Sequence, residues 1–432
     1  MLKLPKLISH LGADRAGCQK YFEPRGARAS KHPSNPRKEE AFVRKSNLDH
    51  DGVTLPFATS SEELTNAPPG ASVVSMNSQE KPSTSYVANP EPRGPTPSPT
   101  WLRALRAIGN TIVWSILALL TLWAVAALYV DLRIVALRIP AALLYTVGIT
   151  AILFKFKRSH WTAALCLLGF FSVFAWWLTL KPSNDGNWKA DVERTAWAEM
   201  DGDRVTIHNL RNCEYRTEIE YANCWSDRTV YLSQIRAADL FLTNWGIPFA
   251  SHPIVSFQFG DSEHIAFSIE ARYKVGQSYS TILGLFRQYE LIFIAADERD
   301  VIRLRTNYRK DEEVYLYRAQ AQPEVARAMF LTYVTYLNKL KDHPEWYNQL
   351  TRNCTTTIQR PLAAGTNTHQ PWNYQYILNG TLDKLLYERG RLVTGGLPFP
   401  ELKQREHINA AAQAANTSAN FSAMVRRGRI GF

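Results

Sequence analysis

Several chemistries find no residues to carry them in this sequence. It contains no G-x-S-x-G, no phosphate-binding glycine loop and no H-E-x-x-H, which leaves the serine and metal routes without their usual groups. Its five cysteines, Cys18, Cys166, Cys213, Cys224 and Cys354, include no CxxC pair, and this weakens zinc and thioredoxin-type readings. Neither a metal nor a cofactor is expected. The net charge of +11 would suit a nucleic-acid binder, yet no zinc-finger spacing or aromatic-studded basic motif accompanies it. No nucleic-acid partner is expected, and no internal repeat is present.

Composition is uneven along the chain. Residues 1–100 hold few aromatic or β-branched residues to bury and many Pro, Ser, Asn, Arg and Lys, so a disordered basic arm is expected there. Residues 101–182 are the reverse. Positions 110–130 (NTIVWSILALLTLWAVAALYV) and 160–180 (HWTAALCLLGFFSVFAWWLTL) lack any Asp, Glu, Lys or Arg, and 134–154 are apolar apart from Arg138. Runs of about 20 apolar residues are long enough to span a bilayer, so three transmembrane helices are expected. Arg138 must then reach an interface along its flexible stem. Arg103 and Arg106 precede the first run, and Lys155, Lys157 and Arg158 separate the second and third. These outnumber Arg133 and Arg138 between the first two, which places the basic flanks in the cytoplasm. Three spans then leave residues 183–432 on the outer side.

That last region has a globular composition. Alternation predicts strands at 205–209, 254–259, 264–273, 290–295 and 313–317. Helical periodicity appears at 232–245, near 279–288, and at 323–342, where Pro323 and Glu324 open the segment. Strands interspersed with helices indicate an α+β domain. Within it, Cys354 ends a polar loop and falls at the first turn of an expected helix, where amide N–H groups and the helix dipole favour a thiolate. His252 lies on the strand SHPIVSFQF (251–259). A cysteine at a helix start and a histidine on a sheet are the minimal pair for thiol acyl transfer.

Gly260, Asp261, Ser262 and Glu263 read as a hairpin turn, which sets His252 opposite or diagonal to residues 270–272. Glu270 is therefore the acidic candidate to orient the imidazole, or else a structural partner of Arg272 or Arg305. Asn353, Asn348 and Ser256 are candidates for an oxyanion or substrate contact. Asp297, Glu298, Arg299 and Asp300 read as a charged turn with local salt bridges, His264 as solvent-facing, and His343 as a charge at a helix end. Cys213 and Cys224 are placed either to pair across a short loop or to stand as two buried thiols; both readings remain open.

The ordered blocks in this region resemble a bacterial family. They are VTIHNLRN (205–212) with Tyr215 and Arg216, then HPIVSF (252–257) and SIEAR (268–272). FRQYEL (286–291) follows with Asp297 to Asp300, and last Tyr347 and Asn348 with NCTT (353–356). Over roughly residues 183–400 the chain resembles the extracytoplasmic domain of the Lnb-type lipoprotein N-acyltransferases, long catalogued as a domain of unknown function. The resemblance implies a papain-like (NlpC/P60-like) cysteine domain behind the transmembrane helices, with Cys354 as nucleophile and His252 as base. Together with the three expected spans, it points to a multi-pass bacterial inner-membrane protein whose C-terminal domain lies in the periplasm. The implied reaction moves an acyl chain onto the N-terminal amino group of a lipoprotein, with phospholipid and lipoprotein as substrates. An envelope cysteine hydrolase acting on peptide or amide bonds, and a non-catalytic scaffold, stand as alternatives.

Overall fold

The computed structural model describes residues 99–156, 159–222, 224–357 and 373–432. The arm expected over 1–100 lies outside them but for its last two residues. Three helices follow, α1 (Thr100–Asp131), α2 (Val135–Phe156) and α3 (His160–Thr179), each long and apolar enough to cross a membrane. Ser159 caps α3 through a reciprocal pair of bonds with Thr162, which satisfies donors that the helix start would otherwise leave bare. Trp123 of α1 packs edge-on against Phe170 and Trp177 of α3. Arg138 turns back to donate from Nε to the Leu132 carbonyl at 2.8 Å, away from the middle of α2.

The remaining described chain forms an α+β domain. Its strands are β1 (Trp197–Asp201), β2 (Arg204–Arg211), β3 (Glu214–Tyr215), β4 (Tyr221–Ala222), β5 (Trp225–Tyr231) and β6 (Ile235–Asn244). They continue with β7 (Ser251–Phe259), β8 (Glu263–Arg272), β9 (Glu290–Ala296) and β10 (Glu313–Arg318). Eight of them make one sheet in the order β1-β2-β9-β8-β7-β6-β10, with β5 also paired to β2. The β2–β9 contact is parallel and every other pairing in the sheet is antiparallel. Helix α4 (Glu298–Arg303) follows β9, and α5 (Pro323–Asp342) covers the segment expected to be helical.

Both faces of the sheet are covered. Phe257, Phe267 and Phe293 pack on Phe330, Tyr333 and Leu337 of α5. On the other face Phe241, Ile254, Ile292 and Ile294 meet Ile408, Phe421 and Val425 from the C-terminal helices. This explains one correction. Residues 232–245, expected to be helical, are mostly the strand β6, because a strand buried on both sides loses its alternation and cannot be told from a buried helix by period. A second correction concerns 279–288, which holds only the 3-10 turn Leu283–Leu285. Its Gly284 carbonyl accepts from Gln349 N–H, so this peptide is held by a neighbouring loop and not by a helix.

Candidate functional site

The hairpin register puts the histidine where the turn implied. Ile254 faces Ser268 in the β7–β8 pair, and two residues further along His252 reaches the level of Glu270. The ladder to β8 begins at Ile254, directly after Pro253, which has no N–H to give, whereas pairing with β6 continues through Ser251. His252 Nε2 lies 2.8 Å from Ser268 Oγ, and Ser268 Oγ donates to Glu270 Oε1 at 2.7 Å. Arg305 Nη2 donates to the same Glu270 oxygen at 3.0 Å and its Nη1 to Glu312 Oε2 at 3.2 Å. Arg305 comes from the π-helical turn Leu304–Tyr308 that ends α4, an irregularity found often at functional sites.

This relay fixes the proton positions. Burial opposes ionisation of Glu270, but Arg305 and His252 outweigh it and hold the carboxyl well below the usual range. Burial, reinforced by the charge of Arg305, pushes the His252 imidazole down to about 3, so it is neutral at pH 7. An ionised Glu270 can only accept, so the Ser268 hydroxyl proton is committed to it. Ser268 Oγ must then accept from His252 Nε2–H, and this leaves Nδ1 with the free lone pair. The Glu270–Arg305 pairing weighed against a triad role is present, and it lies within the same relay.

The cysteine side is built by two asparagines. Asn353 Oδ1 accepts from the N–H groups of Thr355 and Thr356 at 2.9 and 2.8 Å, capping the helical residues 354–357, while its Nδ2 donates to the Gln349 carbonyl at 2.7 Å. Asn348 Oδ1 accepts from Leu350 and Thr351 N–H at 3.1 and 3.0 Å. Both side chains thus shape the loop, and the Cys354 N–H donates to no group among the described residues. The thiol is free and half-buried. Its burial raises the pKa, and the Thr355 contact lowers it by less. The resting group is therefore a thiol, which corrects the thiolate expected from the helix start.

Asn379, which sequence reasoning missed, joins the two sides. Its Nδ2 lies 3.9 Å from Cys354 Sγ and also donates to Thr355 Oγ1 and, at 2.7 Å, to the Ser251 carbonyl. Its Oδ1 accepts from Ser251 N–H at 2.8 Å, and its carbonyl accepts from Ser251 Oγ at 2.6 Å. The residue before His252 is thereby clamped to the residue beside the thiol. The signal available in the sequence was an Asn379-Gly380 pair, which reads as a plain turn.

Other candidates fall elsewhere. Ser256 shares a face with His252 but lies four residues on, roughly 13 Å at strand rise, with its hydroxyl donated to Glu298. Ser256 is therefore not brought to Cys354. Glu298 and Asp300 are buried with Arg426 and Arg211 respectively, and Asp297 caps α4. His264 is buried, not solvent-facing as expected, with Nδ1 on the Ser262 carbonyl. His343 is the C-cap residue of α5. Cys213 and Cys224 form a disulfide linking the segments that follow β2 and precede β5. Among the described residues no cluster of three His, Cys, Asp or Glu could hold a metal. A cavity beside Pro253 and Tyr376 encloses about 50 Å³.

A free cysteine at a capped helix start and a histidine held by a serine–carboxylate relay are linked through Asn379 on a sheet domain behind three apolar helices. Residues 221–380 match the family model described as the Lnb N-terminal periplasmic domain, so the family resemblance read from the sequence holds over that segment. This match to a periplasmic-domain family, behind three helices long and apolar enough to cross a membrane, fits a membrane protein with a periplasmic domain. The match takes in His252, Ser268, Glu270, Arg305, Cys354 and Asn379. No curated protein and no solved structure matches the chain.

Proposed function

We propose that this is a multi-pass inner-membrane cysteine N-acyltransferase with a papain-like catalytic domain, using phospholipid as acyl donor and a lipoprotein N-terminus as acceptor. The observation that carries the reading is the relay itself: ionised Glu270 and Ser268 orient a neutral His252 whose Nδ1 is left free, and Asn379 ties that strand end to the Cys354 thiol.

In the first half-reaction Nδ1 of His252 takes the thiol proton as Sγ attacks an ester carbonyl of the donor. The S–C bond forms, the C–O ester bond breaks, and the imidazolium returns its proton to the leaving alkoxide. The Cys354 N–H is the donor nearest to hand for the oxyanion. In the second, His252 takes a proton from the acceptor amine as its nitrogen attacks the thioester. The C–S bond breaks and the imidazolium reprotonates the sulfur, leaving an amide. A resting thiol and neutral imidazole suit this sequence, because every proton removed has a stated destination. The Lnb-type family match and the three apolar helices support lipid substrates.

The test is the intact mass of detergent-purified protein, wild type against Cys354→Ala, after incubation with phospholipid. A hydroxylamine-sensitive gain of one acyl chain in the wild type, absent from the variant, is the expected result. Intact lipid with no adduct would sink the reading and turn attention to peptide or amide hydrolysis.

A further inference from the structure

The segments around the site share a property that the catalytic reading does not use. Residues 245–251 (WGIPFAS) lead into His252, 275–286 (VGQSYSTILGLF) adjoin the Cys354 loop, and 373–381 (NYQYILNGT) contain Asn379. None has an Asp, Glu, Lys or Arg, although 21% of the chain is charged. The large side chains they expose are apolar or aromatic, among them Ile247, Phe249, Ile282, Tyr374 and Leu378, joined by Leu350 just before Cys354, with Ile282 as much as 70% exposed. Outside these segments and Leu350, the exposed large apolar side chains of the sheet domain, among the described residues, are Met200, Ile219, Tyr231 and Phe432, on other elements.

Residues 245–251 and 373–381 touch each other, and 275–286 adjoins the loop before Cys354. Asn244 Nδ2 donates to the Gly380 carbonyl at 3.3 Å, and a Cβ on Gly380 would lie 2.4 Å from the Pro248 carbonyl carbon. Gln349 N–H donates to the Gly284 carbonyl at 2.8 Å. The 275–286 segment then runs straight into the ends of the apolar helices. Phe286 stacks on Trp123, Gln288 Nε2 donates to the Val130 carbonyl at 3.0 Å and to Asp131 at 2.7 Å, and Arg287 lies over the Trp177 ring at 4.1 Å. The apolar rim is thus continuous with the surface of the bundle at the ends of α1 and α3.

We infer that this rim is seated in the lipid leaflet at which α1 and α3 end, so that the mouth of the Cys354–His252 site opens onto lipid and not onto water. Contiguous exposed apolar surface marks an interaction site, and its continuity with membrane-spanning helices names the lipid leaflet as the occupant. Aromatic and aliphatic side chains lying in the interface, on segments that carry no charge of their own, are what such seating favours, since a buried charge would resist it. That the lipid entering there is a substrate rests on the acyltransferase reading; the seating itself does not.

The test measures depth and not turnover. The full chain, with Cys354→Ala, Cys18→Ser and Cys166→Ala, is reconstituted in phosphatidylethanolamine–phosphatidylglycerol vesicles. Single cysteines are introduced as Phe249→Cys, Ile282→Cys, Leu350→Cys and Leu378→Cys, with Ile219→Cys and Tyr231→Cys as controls, and an environment-sensitive fluorophore is attached to each. Lipids carrying a doxyl quencher near the headgroup should quench all four rim labels at least twofold more than either control, and aqueous iodide should show the reverse order. Rim labels quenched like the controls overturn the inference, and so does quenching confined to Ile282→Cys and Leu350→Cys, which lie on the side tied to the bundle. Absence of acyl transfer leaves these readings unchanged, so the two proposals fail separately.

Discussion

At the scale of single residues, the site depends on how burial and charge compete. Glu270 stays ionised within the domain because Arg305 donates to it directly, and the ionised carboxylate decides which nitrogen of His252 carries the proton. Cys354 has no comparable partner, so burial prevails and its pKa is raised. The sign matters for its reactivity: a raised pKa means that the thiolate appears only as pH climbs beyond the ordinary thiol value of about 8.5. Alkylation of Cys354 by iodoacetamide should therefore be slow at pH 7 and still be rising at pH 9, read by mass against Cys354→Ala. A plateau already reached below pH 7 would mean a resting thiolate–imidazolium pair and would contradict the relay described above.

At the scale of elements, two short turns build the clamp between the strand end before His252 and the surroundings of Cys354. The β6–β7 connection delivers Ser251 and His252, and the turn at residues 379–381 delivers Asn379. They fit because Gly380 has no side chain: a Cβ there would lie 2.4 to 2.7 Å from backbone atoms of Pro248 and Ile247. Backbone cannot swing aside as a flexible side chain would, so Gly380→Ala should push the Asn379 turn away from Ser251. The expected outcome is a loss of about 1–3 kcal/mol in stability, measured by denaturant unfolding, because overpacking forces backbone shifts. Thioester formation should fall with it, as the clamp between Ser251 and the Cys354 neighbourhood loosens. A variant as stable and as active as wild type would show that this close approach does not hold the site.

At the scale of the whole described molecule, the sheet domain is fastened to the helical bundle through few groups. Asp131, at the end of α1, accepts from Trp177 Nε1 and Gln288 Nε2, each at 2.7 Å, and from Arg287 N–H at 3.3 Å. Trp346 Nε1 adds a bond to the Leu180 carbonyl at 3.1 Å. Asp131→Ala would leave three donors without their carboxylate, and bonds to a charged group are worth about 1.5–3 kcal/mol each. Amide hydrogen exchange over residues 283–288 should then quicken at least tenfold, about 1.4 kcal/mol of lost protection, with α5 unchanged. Equal exchange in both proteins would mean that the Asp131 carboxylate does not hold the domain to the bundle.

Local pattern was enough to read the long apolar runs, the amphipathic helix α5 and the hairpin that sets His252 at the level of Glu270. These signals survive in sequence because they rest on spacing and on residue type within one segment. Pattern failed at β6, where burial on both faces erased the alternation. It also failed at 279–288, whose peptides bond to a neighbouring loop. Tertiary structure alone brought in Asn379, placed Ser268 between imidazole and carboxylate, and committed Ser256 to Glu298 instead of the site. Those are contacts between residues up to 128 positions apart, and no local periodicity records which distant side chain will meet which backbone group. The state of the Cys354 thiol was decided in the same way, since burial is a property of the folded domain and not of the helix start on which the cysteine sits.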